Sequence, residues 1–171
     1  MNDFNEAMFK TKVDNIFVKL YTAEMKQDLS DVMHFINDDV RDMFQNRIDE
    51  NKRLNRRQMY DEINVKSTNI IDRCITDDKE IVEAQIISRY MDYVIDMNTG
   101  ATIEGDDTRR IEKRNILVFE KKIDSKNIGI VRRCPGCGAS MSVNTSGKCE
   151  YCGTIFNQED YDYILVKLSV S

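Results

Sequence analysis

Glu80-Ile81-Val82-Glu83-Ala84-Gln85-Ile86-Ile87-Ser88-Arg89-Tyr90-Met91-Asp92-Tyr93-Val94-Ile95 decides how this 171-residue chain folds. Side chains alternate between the two faces of a strand, so Val82, Ala84, Ile86, Ser88 and Tyr90 share one face of a single long strand. Asp77-Asp78-Lys79 before it reads as a turn. Upstream of that turn, Ile63-Asn64-Val65-Lys66-Ser67 and Ile70-Ile71-Asp72-Arg73-Cys74-Ile75-Thr76 are β-branched and partly alternating, one bent strand or two short ones. Downstream, Asp96-Met97-Asn98-Thr99-Gly100 and Gly105-Asp106-Asp107 read as turns. A further strand follows from about Thr108 to Ile123, with Ile111, Lys113, Asn115, Leu117 and Phe119 on one face. Tyr161 to Val170 is the last strand.

Before residue 60 the period is helical. Phe4, Met8, Val13, Ile16, Phe17, Leu20 and Tyr21 recur at three- and four-residue steps, with Asn2 or Asp3 as the expected cap. Lys10, Lys12, Asp14 and Lys19 form the polar face, so the apolar stripe is expected in the core. A second helical stretch is expected from Asp28, with Leu29, Val32, Met33 and Ile36 apolar. Asn37-Asp38-Asp39 breaks it and caps a third, in which Val40, Met43, Phe44 and Ile48 keep helical spacing to about Lys52. Arg47, Lys52, Arg53, Arg56 and Arg57 make the next segment basic, as the partial negative charge of a helix C-terminus favours. His34, the only histidine, has no cysteine or carboxylate at metal spacing and is read as a surface residue.

Helices first and strands after them predict an α+β fold, helices covering an antiparallel sheet. A net charge of −5 disfavours a nonspecific grip on nucleic-acid phosphates. The start, Met1 to Glu6, lacks a basic segment followed by an apolar one, so no signal peptide is expected. Aliphatic runs such as Ile116 to Phe119 and Ile164 to Val166 are far short of a membrane span. The expected setting is the cytoplasm.

Four of the five cysteines form two Cys-x-x-Cys pairs, Cys134/Cys137 and Cys149/Cys152, each followed by a glycine, Gly138 or Gly153. Two such turns converge four thiolates into a tetrahedron, which suits one structural Zn²⁺ at about 2.3 Å per Zn–S bond and leaves no open position for catalysis. Rubredoxin-type iron uses similar turns, and spacing alone leaves it open. Residues 130–156 are therefore expected as a small zinc ribbon, too small to bury its own core and folded by its metal. It would be inserted into an α+β domain made of residues 1–129 and 157–171. Cys74 lies in an expected strand with no histidine neighbour and is read as a buried structural thiol and not a nucleophile.

Asp92-Tyr93-Val94-Ile95-Asp96-Met97-Asn98-Thr99-Gly100, then Gly105 and a hydrophobic strand, resembles the C-terminal domain of the mitochondrial import-motor adaptor and its bacterial Tim-forty-four-like relatives. Phe9, Lys12, Phe17, Leu20, Ala23 and Asp28 fall where that family places its helix-one signature. The resemblance covers about residues 4–123, with the last strand completing the sheet, and the cysteine pairs are similar to the zinc ribbons some bacterial members carry. Glu24 departs from the tryptophan the family often has after the alanine, and Leu117-Val118-Phe119-Glu120-Lys121 departs from its Trp-x-Phe-x-Arg strand. The resemblance implies a cystatin-like or nuclear-transport-factor-two-like cone with helices in the concavity of a curved sheet. It also implies an adaptor role at membranes or large assemblies, with no catalytic residues.

The functional expectation is thus a non-enzymatic adaptor for protein partners, in transport or at a membrane-associated assembly, with peripheral contact at the inner face of an anionic membrane as a further expectation. No phosphate loop, nucleophile elbow or histidine pair is present. Two alternatives remain at this point. One is RNA or ribosome contact through Arg132, Arg133 and Lys148, with Arg56 and Arg57. The other is a small-molecule enzyme using Asp92, Tyr93 or Asp96 in the cone, where a structural role at the turn is the competing reading.

Overall fold

The structure, a computed structural model, describes residues 4–123, 131–133, 140–142 and 163–170. The first helix, α1, spans Glu6–Lys26 and is capped by Asn5, whose side chain accepts from the Met8 amide at 3.0 Å, three residues on from the expected Asn2. Glu6 in its first turn and Lys26 in its last complement the helix dipole. Phe9, Val13, Ile16, Phe17, Leu20 and Tyr21 are buried. Two residues of the expected stripe are not: Phe4 precedes the helix, and Met8 is 69% exposed.

The second helical stretch is not a helix. Asp28 accepts from the Ser30 amide at 3.0 Å, a local side-chain bond that competes with helix propagation. The chain then closes by short-range bonds, Val32 to Leu29 and Phe35 to Val32, ending in a 3-10 turn at Met33–Phe35. Leu29, Val32 and Ile36 are buried all the same. The helix α2, Asp38–Arg53, starts at Asn37, whose side chain accepts from the Val40 amide at 3.0 Å. It buries Val40, Phe44 and Ile48.

Strands β1 (Arg56–Ile75), β2 (Lys79–Asp96), β3 (Thr102–Lys122) and β6 (Ile164–Val170) form one antiparallel sheet in the order β1-β2-β3-β6. The short strands β4 (Val131–Arg133) and β5 (Ser140–Ser142) pair with each other. The expected alternation in β2 holds: Val82, Ala84, Ile86, Ser88 and Tyr90 are all buried. Leu117 and Phe119 of β3 and Leu165 and Leu168 of β6 continue that face, and α1 and α2 cover it. The amide of Asn37 donates to the Leu165 carbonyl at 3.0 Å, which ties the start of α2 to the last strand.

Three expectations change. Strand β1 begins at Arg56 and is one element, bent by register shifts between Asp61 and Asn64, Val65 and Ser67, and Ile70 and Asp72. Gly105-Asp106-Asp107 is not a free turn: Gly105 pairs with Tyr93 and Asp106 with Asp92 inside β3, and residues 107–110 bulge out before Ile111 pairs with Tyr90. Cys74 is exposed, because it lies opposite Ile81 and not opposite the buried Val82, which faces Arg73.

Candidate functional site

A groove of about 640 Å³ runs between α1, the 3-10 turn and the ends of β3 and β6. Phe4, Met8, Phe9, Ile16, Phe35 and Tyr163 give it an apolar surface. Phe9 packs edge-on against Phe119 and Tyr163, with ring centroids 5.5 and 4.9 Å apart, which fixes the floor. Lys12, Lys19 and Lys121 stand on the rim. The first two lie 5.9 and 5.3 Å from the Phe35 ring centre, and Lys121 lies 5.4 Å from that of Tyr163. Among the described residues of the lining the one carboxylate, Glu80, accepts from Arg73 at 2.9 Å and from the Tyr163 hydroxyl at 2.6 Å. Its charge is therefore answered within the fold.

A second polar centre is buried where α1, α2 and β1 meet. Glu24 is 3% exposed and accepts from the Tyr60 hydroxyl at 2.8 Å and from Arg47 at 3.3 Å. Burial pushes its carboxyl above the usual range, with Arg47 and then Tyr60 pulling against it. Tyr21, Tyr60 and Tyr90 surround it, with Tyr21 4.6 Å from Tyr60 and 5.8 Å from Tyr90. Burial lifts all three phenols, that of Tyr21 to about 12. Glu24 thus links α1, α2 and β1 as an internal clamp.

Each candidate for catalysis has a structural task. Asp92 accepts from Gln58 at 2.6 Å. Tyr93 donates to Asp61, and that bond above all pushes its phenol up to about 12. Asp96 shapes the β2–β3 turn: its side chain accepts from the Asn98 amide at 2.7 Å, and its carbonyl from the Gly100 amide at 2.7 Å. The basic run from Arg47 to Arg57 is likewise distributed. Arg47 serves Glu24, Arg53 pairs with Glu50 at 2.6 Å, and Arg56 donates to Asn51 at 2.8 Å. His34 is half-buried in the 3-10 turn, and no cluster of three or more metal-ligating side chains exists among the described residues. Cys134, Cys137, Cys149, Cys152 and Lys148 lie outside the described residues; Arg132 and Arg133 are in β4.

The family model of the Tim44-like domain matches residues 2–129. This chain belongs to the Tim44-like family. No curated protein matches it. Among solved structures, the crystal structure of the intermembrane space region of the chloroplast protein ARC6 aligns with a TM-score of 0.43 at 10% identity, covering 94% of this chain and 95% of that one. Outside the matched residues, β6 completes the sheet by pairing with β3.

The Tim44-like stretch from Asp92 to Gly105 has a physical reading. Gly105 has φ +79°, and a Cβ there would stand 2.2 Å from the Asp92 carbonyl oxygen, so only glycine lets β3 approach β2 at this point. Glu24, this chain's departure from the family's usual tryptophan, is accommodated by a tyrosine donor and an arginine. The groove and the Glu24 clamp were both missed from sequence. The groove's signal was the Lys12/Lys19 pair seven residues apart beside Phe9 and Ile16, which reads equally well as an ordinary solvated face.

Proposed function

We propose that this Tim44-like domain is a non-enzymatic adaptor that docks protein partners in the groove between α1 and the ends of β3 and β6. The single observation that carries this reading is the groove itself, an apolar trough edged by lysines on a chain of net charge −5. Family membership supports a protein-interaction module at a membrane-associated assembly, and no helix among the described residues is long and apolar enough to cross a membrane. The hydrogen bonds by which Asp92, Tyr93 and Asp96 shape β1, β2 and their turn favour this reading over the enzyme alternative.

The proposal includes one structural zinc ion held by Cys134, Cys137, Cys149 and Cys152. Their donor chemistry, four thiols in two Cys-x-x-Cys pairs, fits zinc. β4 pairs with β5, with Arg133 opposite Ser140, and this short hairpin supports the ribbon reading. Bound zinc would supply folding energy and no reactive group.

Affinity capture of the full chain from an extract of its source cells tests the reading, with mass spectrometry, RNA and lipid analysis of the eluate. A stoichiometric protein partner is expected. Recovery of RNA alone, lost on replacing Arg132 and Arg133, would replace the adaptor reading with the ribosome-associated one.

A further inference from the structure

We infer that the groove takes an acidic segment of a partner protein, in which Asp or Glu side chains flank a large apolar side chain. The inference rests on the adaptor reading and specifies what that adaptor recognises. Its basis is the arrangement of charge around an apolar floor. Lys12 and Lys19 are seven residues apart, about 10.5 Å along the helix axis at 1.5 Å per residue, and so project from one side of α1. Lys121 belongs to β3, so cations stand on two different elements that wall the groove. Between them lie the Phe35 and Tyr163 rings and the thioether of Met8, 69% exposed.

Charge selects the occupant. Among the described residues of the lining Glu80 is the only carboxylate, and Arg73 and the Tyr163 hydroxyl engage it. The groove therefore presents a cationic rim on a molecule of net charge −5, and acidic groups entering it are drawn against the sign of the remaining surface. A basic or neutral segment gains nothing from that rim.

Shape selects between an acidic peptide and an anionic membrane. A bilayer is nearly flat on the scale of one domain, and its surface is met by protruding side chains that insert between headgroups. Here the Phe35 and Tyr163 rings are half-buried in a concave lining, where a side chain projecting from a partner reaches more of them than a flat surface can. At about 640 Å³ the groove lies within the usual range for enclosing a small ligand, enough for one or two large side chains and not for a second folded face. Asn5, Thr11 and Asn15 on the same rim add polar groups that can meet a peptide backbone.

The test selects random dodecamers displayed on phage against the full-length protein, then measures synthetic fluorescein-labelled winners by anisotropy. Sequences with a Phe, Trp, Leu or Met between acidic residues are expected. Their affinity should fall at least about tenfold in the Lys19→Glu/Lys121→Glu variant and weaken with added salt, as rim charges dictate. Met8→Asp, at an exposed position that folding tolerates, should weaken the same peptides, and circular dichroism should confirm that both variants fold. Winners without acidic residues, or winners that bind the variants as well as the parent, would overturn the inference. Vesicles of phosphatidylglycerol bound through the same lysines, with no peptide selected, would overturn it in favour of a lipid surface. A dimer dissociated by these substitutions would overturn it in favour of a second copy of the chain. A partner recovered by capture that still binds both variants would leave the adaptor reading intact and remove the groove from it.

Discussion

Replacing Tyr60 with Phe removes one hydroxyl from the clamp that joins α1, α2 and β1. That hydroxyl donates to Glu24 at 2.8 Å, with Tyr60 7% and Glu24 3% exposed. A buried hydrogen bond to a charged group contributes about 1.5–3 kcal/mol. Arg47 reaches the same oxygen at 3.3 Å, but its side chain is 42% exposed, so screening limits it to about 1 kcal/mol or less. The tyrosine should therefore outweigh the arginine, contrary to the usual emphasis on ion pairs. Urea denaturation of Tyr60→Phe, Glu24→Gln and the double variant should give a coupling of about 1 kcal/mol, because a glutamine at this position still accepts a neutral hydrogen bond from Tyr60. A parallel cycle with Arg47→Met, which keeps a side chain over the Phe44 ring, should give less than half of that. A Tyr60 coupling below about 0.5 kcal/mol, or an Arg47 coupling equal to it, would refute the reasoning.

The same variants carry a pH signature. Because burial raises the folded pKa of Glu24 above its ordinary value of 4.5, the native chain binds more protons than the unfolded chain between those two values. Stability from this group is complete below 4.5 and is lost as pH rises through the folded value. The advantage of the parent over Glu24→Gln should fall across that window and then level off. An advantage that grows with pH would show that Arg47 and Tyr60 overcome the burial penalty.

Three further outcomes are expected. Gly105→Ala combines φ +79° with a methyl 2.2 Å from a backbone oxygen and should cost about 3 kcal/mol, whereas Gly100→Ala, at φ +76° with open space around it, should cost about 1–2 kcal/mol in thermal melts. Ser88→Ala should be neutral or stabilising by about 1 kcal/mol in urea, because the Ser88 hydroxyl is fully buried without a hydrogen-bond partner. Elemental analysis of protein purified without added metal should find one zinc per chain; iron, or no stoichiometric metal, would contradict the four-cysteine assignment. Chelation should raise hydrogen exchange in residues 130–156 and in β6 while α1 and α2 stay protected.

The parts of the fold legible in the sequence are those where one period runs uninterrupted. Val82 to Tyr90 alternate without a break, and a strand in that register has its inner face fixed. Phe9 to Tyr21 likewise keep one helical stripe. Legibility fails where a local bond or a neighbour decides. Leu29 to Ile36 have helical spacing, but Asp28 caps its own turn, and the residues are buried by packing instead of by helix periodicity. Arg53, Arg56 and Arg57 read as one helix end because charge is shared across the boundary; α2 stops at Arg53 and β1 starts at Arg56, with Asn55 at φ +54° reversing the chain. Gly105 reads as a turn for the same property that lets it sit inside β3 against Asp92. Cys74 is apolar in type, yet register alone places it on the outer face. As for the candidate site, Lys12, Lys19 and Lys121 are more than a hundred residues apart at the extremes, and only the sheet's return to α1 brings them to one groove. Glu24 could not be seen as buried before its partners Arg47 and Tyr60 were placed.

Site-specific photocross-linking in living source cells tests most directly whether this Tim44-like domain is an adaptor working through that groove. A benzoylphenylalanine at Met8, 69% exposed in the groove, is compared with one at Ile103, 50% exposed on the far part of β3. A discrete protein adduct is expected from position 8, absent from position 103 and lost when Lys19 and Lys121 are reversed in charge. Equal adducts from both positions, or adducts at position 8 with lipid or RNA and no protein, would contradict it.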